Sequence, residues 1–239
     1  MDQQEVAKLR LKLQLLDNPL FSGFSHELLD RLLSESLCTT YKAGETVFGE
    51  RDWSERMFFV SSGTLKLYRL STQGCEKVLD LACVGDLVAL ASLFLKGQLY
   101  GYWCQALVDS VLIEIPRKEV VKLLNSEPEM SAKIIGELSC QVLEKIEQID
   151  SICLKSAANR FAEYLLQMSD QCDGNAEVSL PADKHVIASK LSIAPETFSR
   201  LIGSFKKENV IDAVGTKMVI RDMAYLRNIT GKKKTIKYY

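Results

Sequence analysis

The chain has 239 residues, 47% of them apolar and 26% charged, the make-up of an ordinary soluble globular protein with room for one large or two modest domains. No run of about 18 apolar residues occurs, so no transmembrane helix is expected; the N-terminus lacks a signal-peptide core and cleavage site, and a cytoplasmic protein without a membrane partner is expected. Residues 1–154 carry 16 Lys and Arg against 22 Asp and Glu, whereas residues 155–239 carry 14 against 9, which suggests two modules, the second facing a polyanion. In chain order, residues 4–16 and 25–36 read as two short helices. In the second, SHELLDRLL, apolar residues recur at helical spacing and Ser25 stands where an N-cap belongs. From about 37 to 116, short β-rich runs alternate with turn signals. Strands near 57–61, 64–70, 76–82 and 102–115, broken by Gly63, Gly74 and Gly85, suit an antiparallel barrel or roll. LKLYRL alternates with period two, as a strand with one wet face does.

After Pro116 the pattern returns to helix, first over 117–124 and then over a long segment with Pro128 in its first turn. Met130, Ile134, Leu138, Val142, Ile146, Ile149 and Cys153 recur at steps of four, four, four, four, three and four. Such a narrow seam can pair with a second copy of the helix, or pack on the protein's own barrel. The dimer is favoured, because a barrel of this size offers little surface to so long a helix. A helix over 155–169 follows without a clear break, and QCDGNAEVSLP reads as a loop with a short strand. Pro181 is expected to open a helix to Leu191, SIA is a tight turn, and Pro195 starts another helix. Helix, short turn, helix is the helix-turn-helix arrangement. NVIDAVGTKMVIRD then gives two short strands around Gly215, a wing. A last helix over 222–229 precedes the basic tail GKKKTIKYY.

The helix after Pro195 has two unlike faces. With Glu196 set at 0° and about 100° per residue, Ser199 falls near ~300° and Arg200 near ~40°, while Phe198, Leu201, Ile202 and Phe205 fall between about 140° and 240°. Taken alone, the pattern fits a solvated surface helix as well as a DNA-recognition helix. The chemistry suits the second. Arg donates two hydrogen bonds to guanine O6 and N7, Glu accepts from cytosine N4, and Ser serves either role. Thr197, Lys190, Lys206 and Lys217 are candidates for phosphate contacts, which position a protein without specifying sequence.

Seven cysteines, at 38, 75, 83, 104, 140, 153 and 172, are odd in number, and no pair has C-x-x-C spacing. That argues against a disulfide framework and against a zinc or iron–sulfur knot. Reduced, buried thiols are the plain reading, and one or two redox-sensing thiols the alternative. No His/Asp/Ser constellation, nucleotide-binding Gly loop or metal-ligand spacing marks an enzyme, and two histidines leave little acid–base machinery.

GTLKLYRLSTQGCEKVLDLACVGD and IASKLSIAPETFSRLIGSFKKENVI, with the order roll, long helix, winged helix-turn-helix, resemble the Crp/Fnr family of bacterial transcription regulators over nearly the whole chain. Glu196-x-x-Ser199-Arg200 looks like the Fnr-type recognition signature. The resemblance implies an α+β fold: a cyclic-nucleotide-binding-like β-roll (jelly roll) over 1–126, a dimerisation helix over 127–154 and a winged helix-turn-helix domain over 155–239. It implies a homodimer joined through Ile134, Leu138, Val142, Ile146 and Ile149. It further implies palindromic double-stranded DNA with TTGAT-like half-sites, and RNA polymerase as a partner.

Family members that bind cyclic AMP carry a Gly-Glu pair for the ribose and an Arg-Ser pair for the phosphate. Here Ala89-Leu90 and Tyr100-Gly101 stand at those places, and an anionic nucleotide would be desolvated without a partner. No cyclic AMP binding is expected. Arg51 replaces a turn glycine usual in the family's roll, so the loop around 49–53 is expected to differ. Fnr-type members hold an iron–sulfur cube on N-terminal cysteines, and none precedes Cys38 here. The nearest resemblance is to the Dnr/HcpR-like branch that regulates denitrification and nitrosative-stress genes, which implies a nitric oxide signal read through haem. Leu90, Leu93, Tyr100, Trp103 and Cys104 would line an apolar pocket for a haem edge, with His26, Cys75, Cys83, Cys104 or a Met as axial ligand. His185 falls on the first helix of the helix-turn-helix. Thiol oxidation or a small metabolite is the alternative signal.

Overall fold

The computed structural model describes residues 3–171 and 176–231. Cys172 and all of the basic tail after Gly231 lie outside the described residues. The first helices are α1 (Gln3–Asp17) and α2 (His26–Ser34). The Ser25 hydroxyl accepts from the Leu28 amide at 3.2 Å, as its place before α2 predicts.

Eight strands follow: β1 (Leu37–Tyr41), β2 (Thr46–Phe48), β3 (Arg56–Ser62), β4 (Leu65–Leu70), β5 (Glu76–Ala82), β6 (Leu87–Val88), β7 (Trp103–Ala106) and β8 (Ser110–Pro116). They form two four-stranded sheets, ordered β1-β8-β3-β6 and β2-β7-β4-β5. The stretch 102–115 is thus two strands in different sheets, not one. Asp109 makes the corner, accepting from the Ala43 amide at 3.0 Å and the Lys42 ammonium at 2.8 Å, as short acidic side chains in turns do.

Strand alternation divides the core. Met57, Phe59, Ile113 and Ile115 leave one face of the first sheet and pack with Leu15, Leu29, Leu123 and Met130 of the helices. Phe58, Val60 and Leu112 leave the other face and meet Phe48, Leu65, Cys104 and Ala106 inside the roll. Strands buried on both faces read as continuous apolar runs, which is why MFFV shows no alternation. LKLYRL was expected to have a wet face, but a bulge between Leu67 and Tyr68 interrupts the register. Lys66 is buried, pairing with Glu76 at 2.5 Å and lying 4.3 Å from the Tyr68 ring centroid.

Beyond β8 come α3 (Arg117–Ser126) and the long α4 (Pro128–Leu154). The chain forms two compact units, 1–139 and 140–239, with the division inside α4. The segment 127–154 is therefore not a body of its own. Ile134 is buried in the helix-facing core of the first unit, and Leu138 packs against it. Ile134 is therefore not free for a dimer seam, contrary to the sequence expectation, whereas Leu138 is only half-buried. The reason is geometric. A four-residue step turns about 400°, so a row of such steps drifts about 40° each time and winds from one face to another. The exposed stripe of α4 is instead Ile135, Val142, Ile146 and Ile149, 64, 58, 48 and 60% exposed, with the exposed Cys153 in line. From Val142 its steps of four, three and four are those of a heptad seam.

Lys155 and Ser156 separate α4 from α5 (Ala157–Gln171). The Ser156 hydroxyl accepts from the Asn159 amide at 3.2 Å, an N-cap that makes the break unsignalled by hydrophobic periodicity. Then come β9 (Glu177–Ser179), α6 (Lys184–Lys190), α7 (Pro195–Lys207), β10 (Ile211–Val214), β11 (Lys217–Ile220) and α8 (Met223–Thr230). β9 joins the two wing strands in the order β10-β11-β9. Pro181 does not open α6. The Leu180 amide is still bound to the Thr216 carbonyl at 2.9 Å, so the chain leaves the wing sheet there and turns into the helix only after Asp183. No helix among the described residues is long and apolar enough to cross a membrane.

Ile134→Ala should lower the unfolding free energy by about 2–5 kcal/mol by leaving a cavity, with self-association unchanged. Ile149→Ala should leave the fold within about 0.5 kcal/mol and weaken self-association. Urea unfolding together with sedimentation equilibrium separates the two, and the reverse pattern would put Ile134 back in the seam.

Candidate nucleic-acid interface

α6, the turn over 191–194 and α7 make the helix-turn-helix. The Ile193 amide bonds the Ala188 carbonyl at 2.9 Å, and Ser192 turns the chain at φ 54°. α7 is fastened by its apolar stripe: Phe198, Ile202 and Phe205 are buried. Phe161 of α5 meets Phe198 edge-on at 4.8 Å between ring centroids and stacks on Phe205 at 5.7 Å, both favoured geometries. Leu201 is half-buried. At the helix end, Glu208 accepts from Ser204 at 2.7 Å and from the Tyr225 hydroxyl of α8 at 3.1 Å. That bond to the carboxylate holds the Tyr225 pKa above its ordinary value.

The opposite face carries the three expected base readers. Glu196, Ser199 and Arg200 are all exposed. Arg200 donates to the Thr197 hydroxyl at 3.3 Å, which lays the guanidinium along the helix surface. Gly203, also exposed, adds no bulk to this face. The four phosphate candidates are less uniform. Lys217 is exposed on β11 in the wing, and Lys206 is exposed but donates to the Ala213 carbonyl at 3.2 Å, tying α7 to the wing. Thr197 and Lys190 are half-buried, and Lys190 is engaged within the protein.

The start of α7 is open. Ala194 precedes α7 without a side-chain cap, and the first intrahelical bond is from the Phe198 amide to the Ala194 carbonyl at 2.9 Å. Pro195 has no N–H, and the Glu196 and Thr197 amides, in the first turn of α7, have no acceptor within the helix and stand at the positive end of its dipole, which favours an anion. The signal was an Ala where Ser, Thr, Asp or Asn is the usual cap.

The five residues expected to line a sensor pocket fall in three places. Leu90 and Leu93 are packed in the core between the roll and the helices. Tyr100 and Cys104 lie inside the roll. Trp103 follows the other face of β7 and stacks near Tyr68 at 6.3 Å, because neighbours on a strand point to opposite sides. Tyr100 stacks on Phe48 at 3.9 Å, its hydroxyl donates to the Arg56 carbonyl at 2.9 Å, and burial pushes its pKa up to about 12. Burial likewise raises the Cys104 thiol. Nearby, Glu114 is buried, accepting from Tyr41 at 2.8 Å and pairing with Arg56 at 3.3 Å. His26 and His185 are both exposed, at the start of α2 and on α6. Arg51 and Ala89 stand at φ 73° and 68°, in the left-handed region that favours glycine. The loop around Arg51 therefore takes a backbone conformation a glycine would take.

A model of the cyclic nucleotide-binding domain matches residues 38–127, and one of the Crp-like helix-turn-helix domain matches residues 159–229. The chain belongs to the Crp/Fnr family of transcription regulators. It is 27% identical to the fumarate and nitrate reduction regulatory protein of Vibrio cholerae over 81% of this chain and 78% of that one. The structure of DNR from Pseudomonas aeruginosa is 29% identical, covering 96% of this chain and 100% of that one with a TM-score of 0.51. FixK2 from Bradyrhizobium japonicum, at 19% identity, shares the fold with a TM-score of 0.74 over 81% of this chain and 96% of that one. Regulators of this family bind DNA and act as dimers, and they are not enzymes.

Arg200→Ala should cost about 1–3 kcal/mol of specific DNA affinity and relax base preference at one position per half-site. Fluorescence anisotropy against a duplex series with single base-pair changes measures it. An unchanged preference would remove Arg200 from base reading.

Proposed function

We propose that the chain is a homodimeric, sequence-specific regulator that reads a palindrome of TTGAT-like half-sites, engages RNA polymerase, and answers to nitric oxide or a redox change rather than to cyclic AMP. The observation that carries DNA reading is the exposed face of Glu196, Ser199 and Arg200, held out by a buried opposite face. In a two-fold dimer the two α7 helices enter successive major grooves about 34 Å apart, which makes the operator palindromic. The exposed stripe of Val142, Ile146 and Ile149 supports pairing through the second half of α4.

The resemblance of the sequence to the nitric oxide branch supports that class of signal. The residues named for a haem do not fit one: they belong to two packed cores and an outer sheet face, and both histidines are on the surface. No step is derived through haem. Against cyclic AMP, the side chains at the two expected contact positions are apolar or aromatic: Leu90 is sealed in an apolar core and the Tyr100 ring stacks on Phe48 within the roll, so neither position itself supplies the carboxylate or the cation. A thiol signal has its own observation: Cys38 and Cys75, both outside the α4 stripe, are exposed, within reach of an oxidant.

Selection of duplexes from a randomised pool should return an inverted repeat of TTGAT-like half-sites. Its binding should be unaffected by cyclic AMP and altered by nitric oxide or by oxidation of thiols. A pool without an enriched repeat would overturn the DNA-reading proposal, and cyclic AMP dependence would overturn the proposal for the signal.

A further inference from the structure

Arg160 lies in the first turn of α5, half-buried. Its guanidinium makes three hydrogen bonds, all to backbone carbonyls: Nη1 to Lys155 at 2.7 Å, Nε to Leu191 at 2.8 Å and Nη2 to Ser192 at 3.0 Å. Lys155 is the first residue past α4, Leu191 is the C-cap of α6, and Ser192 is the left-handed residue of the helix-turn-helix turn. Carbonyls at helix ends have no partner within the helix, and the negative end of the dipole favours a cation there. One side chain therefore serves two helix ends at once. A left-handed non-glycine residue such as Ser192 is strained and persists only when its surroundings over-determine it. Arg160 is part of those surroundings.

We propose that Arg160 is a positioning residue for DNA reading: it fixes the turn before Pro195 to the end of the long helix, and so sets the angle at which α7 presents Glu196, Ser199 and Arg200. This rests on reading α7 as the recognition helix. Only a guanidinium suits the place, since its planar fork carries five N–H donors in fixed directions. Lysine keeps the charge but is a single point on a flexible stem, and cannot hold three carbonyls in that geometry. Because these bonds all run inward to the protein's own backbone, Arg160 contributes to specificity without holding a phosphate.

The test compares the full-length protein with Arg160→Lys and Arg160→Gln on two duplexes. One is the inverted repeat that the unaltered protein selects from a randomised pool, and the other is a scrambled duplex of equal length. Both are titrated across a salt series well below the melting temperature, with the folded fraction taken from circular dichroism. In Arg160→Lys the specific affinity should fall about 10-fold or more, as small misplacements of reading groups do. The scrambled duplex should bind within about 2-fold of the unaltered protein, with the same salt slope, because no phosphate contact is lost. Arg160→Gln should lose the specific affinity at least as far. A merely structural role predicts another pattern: both affinities drop together with the folded fraction and their ratio stands. That result, an unchanged ratio in fully folded variants, or failure of both variants to fold, overturns the proposal. If the unaltered protein selects no duplex, the reading of α7 itself fails, an outcome distinct from these.

Discussion

The DNA-facing half of the molecule depends on the contact of Phe161 with Phe198 and Phe205. These rings join α5 to the buried side of α7, and their burial is worth several kcal/mol in a core of this kind. Because α7 is held along Phe198, Ile202 and Phe205, rotation about its own axis is blocked. The residues about half a turn away have one direction left, outward. A polar triad on a helix that could roll would read nothing. Here the apolar stripe sets the orientation and the polar face uses it, with Tyr225 and Glu208 closing the far end.

In the first unit the same principle divides residues more finely. A sheet covered on both sides sends alternate side chains into two cores: one between the sheets, rich in aromatic rings, and one beneath the helices. The first half of α4 contributes Met130 and Ile134 to the second core. Beyond Leu138 its apolar residues turn to the surface. One helix thus covers the roll with its first half and exposes an apolar heptad stripe along its second, because a helix with 3.6 residues per turn carries any four-residue row around itself.

Local chemistry was legible in the sequence. Pro195 marks the first residue of α7, Ser25 caps α2, Gly215 turns the wing at φ 60°, and the angular split of α7 matches the burial of Phe198, Ile202 and Phe205. What depends on neighbours distant in sequence was not. The corner at Asp109 is made by Lys42 and Ala43, and nothing in 102–115 announces it. The delay of α6 past Pro181 follows from a bond to Thr216. Leu90, Leu93, Tyr100, Trp103 and Cys104 have the composition of a pocket lining, yet composition does not say which side of a strand a residue leaves. Arg160 looked like any basic residue on an amphipathic helix, since its partners are backbone carbonyls and carry no residue signature.

If α7 reads bases in the major groove, Arg200 lies on a guanine. Methylation of guanine N7 by dimethyl sulfate on the selected duplex tests it most directly, with the unaltered protein beside Arg200→Ala. One guanine per half-site, the two related by the operator's two-fold axis, should be protected and become reactive again only in the variant, because Arg occupies O6 and N7 together. Guanines left reactive throughout, or protected equally in both proteins, would contradict it.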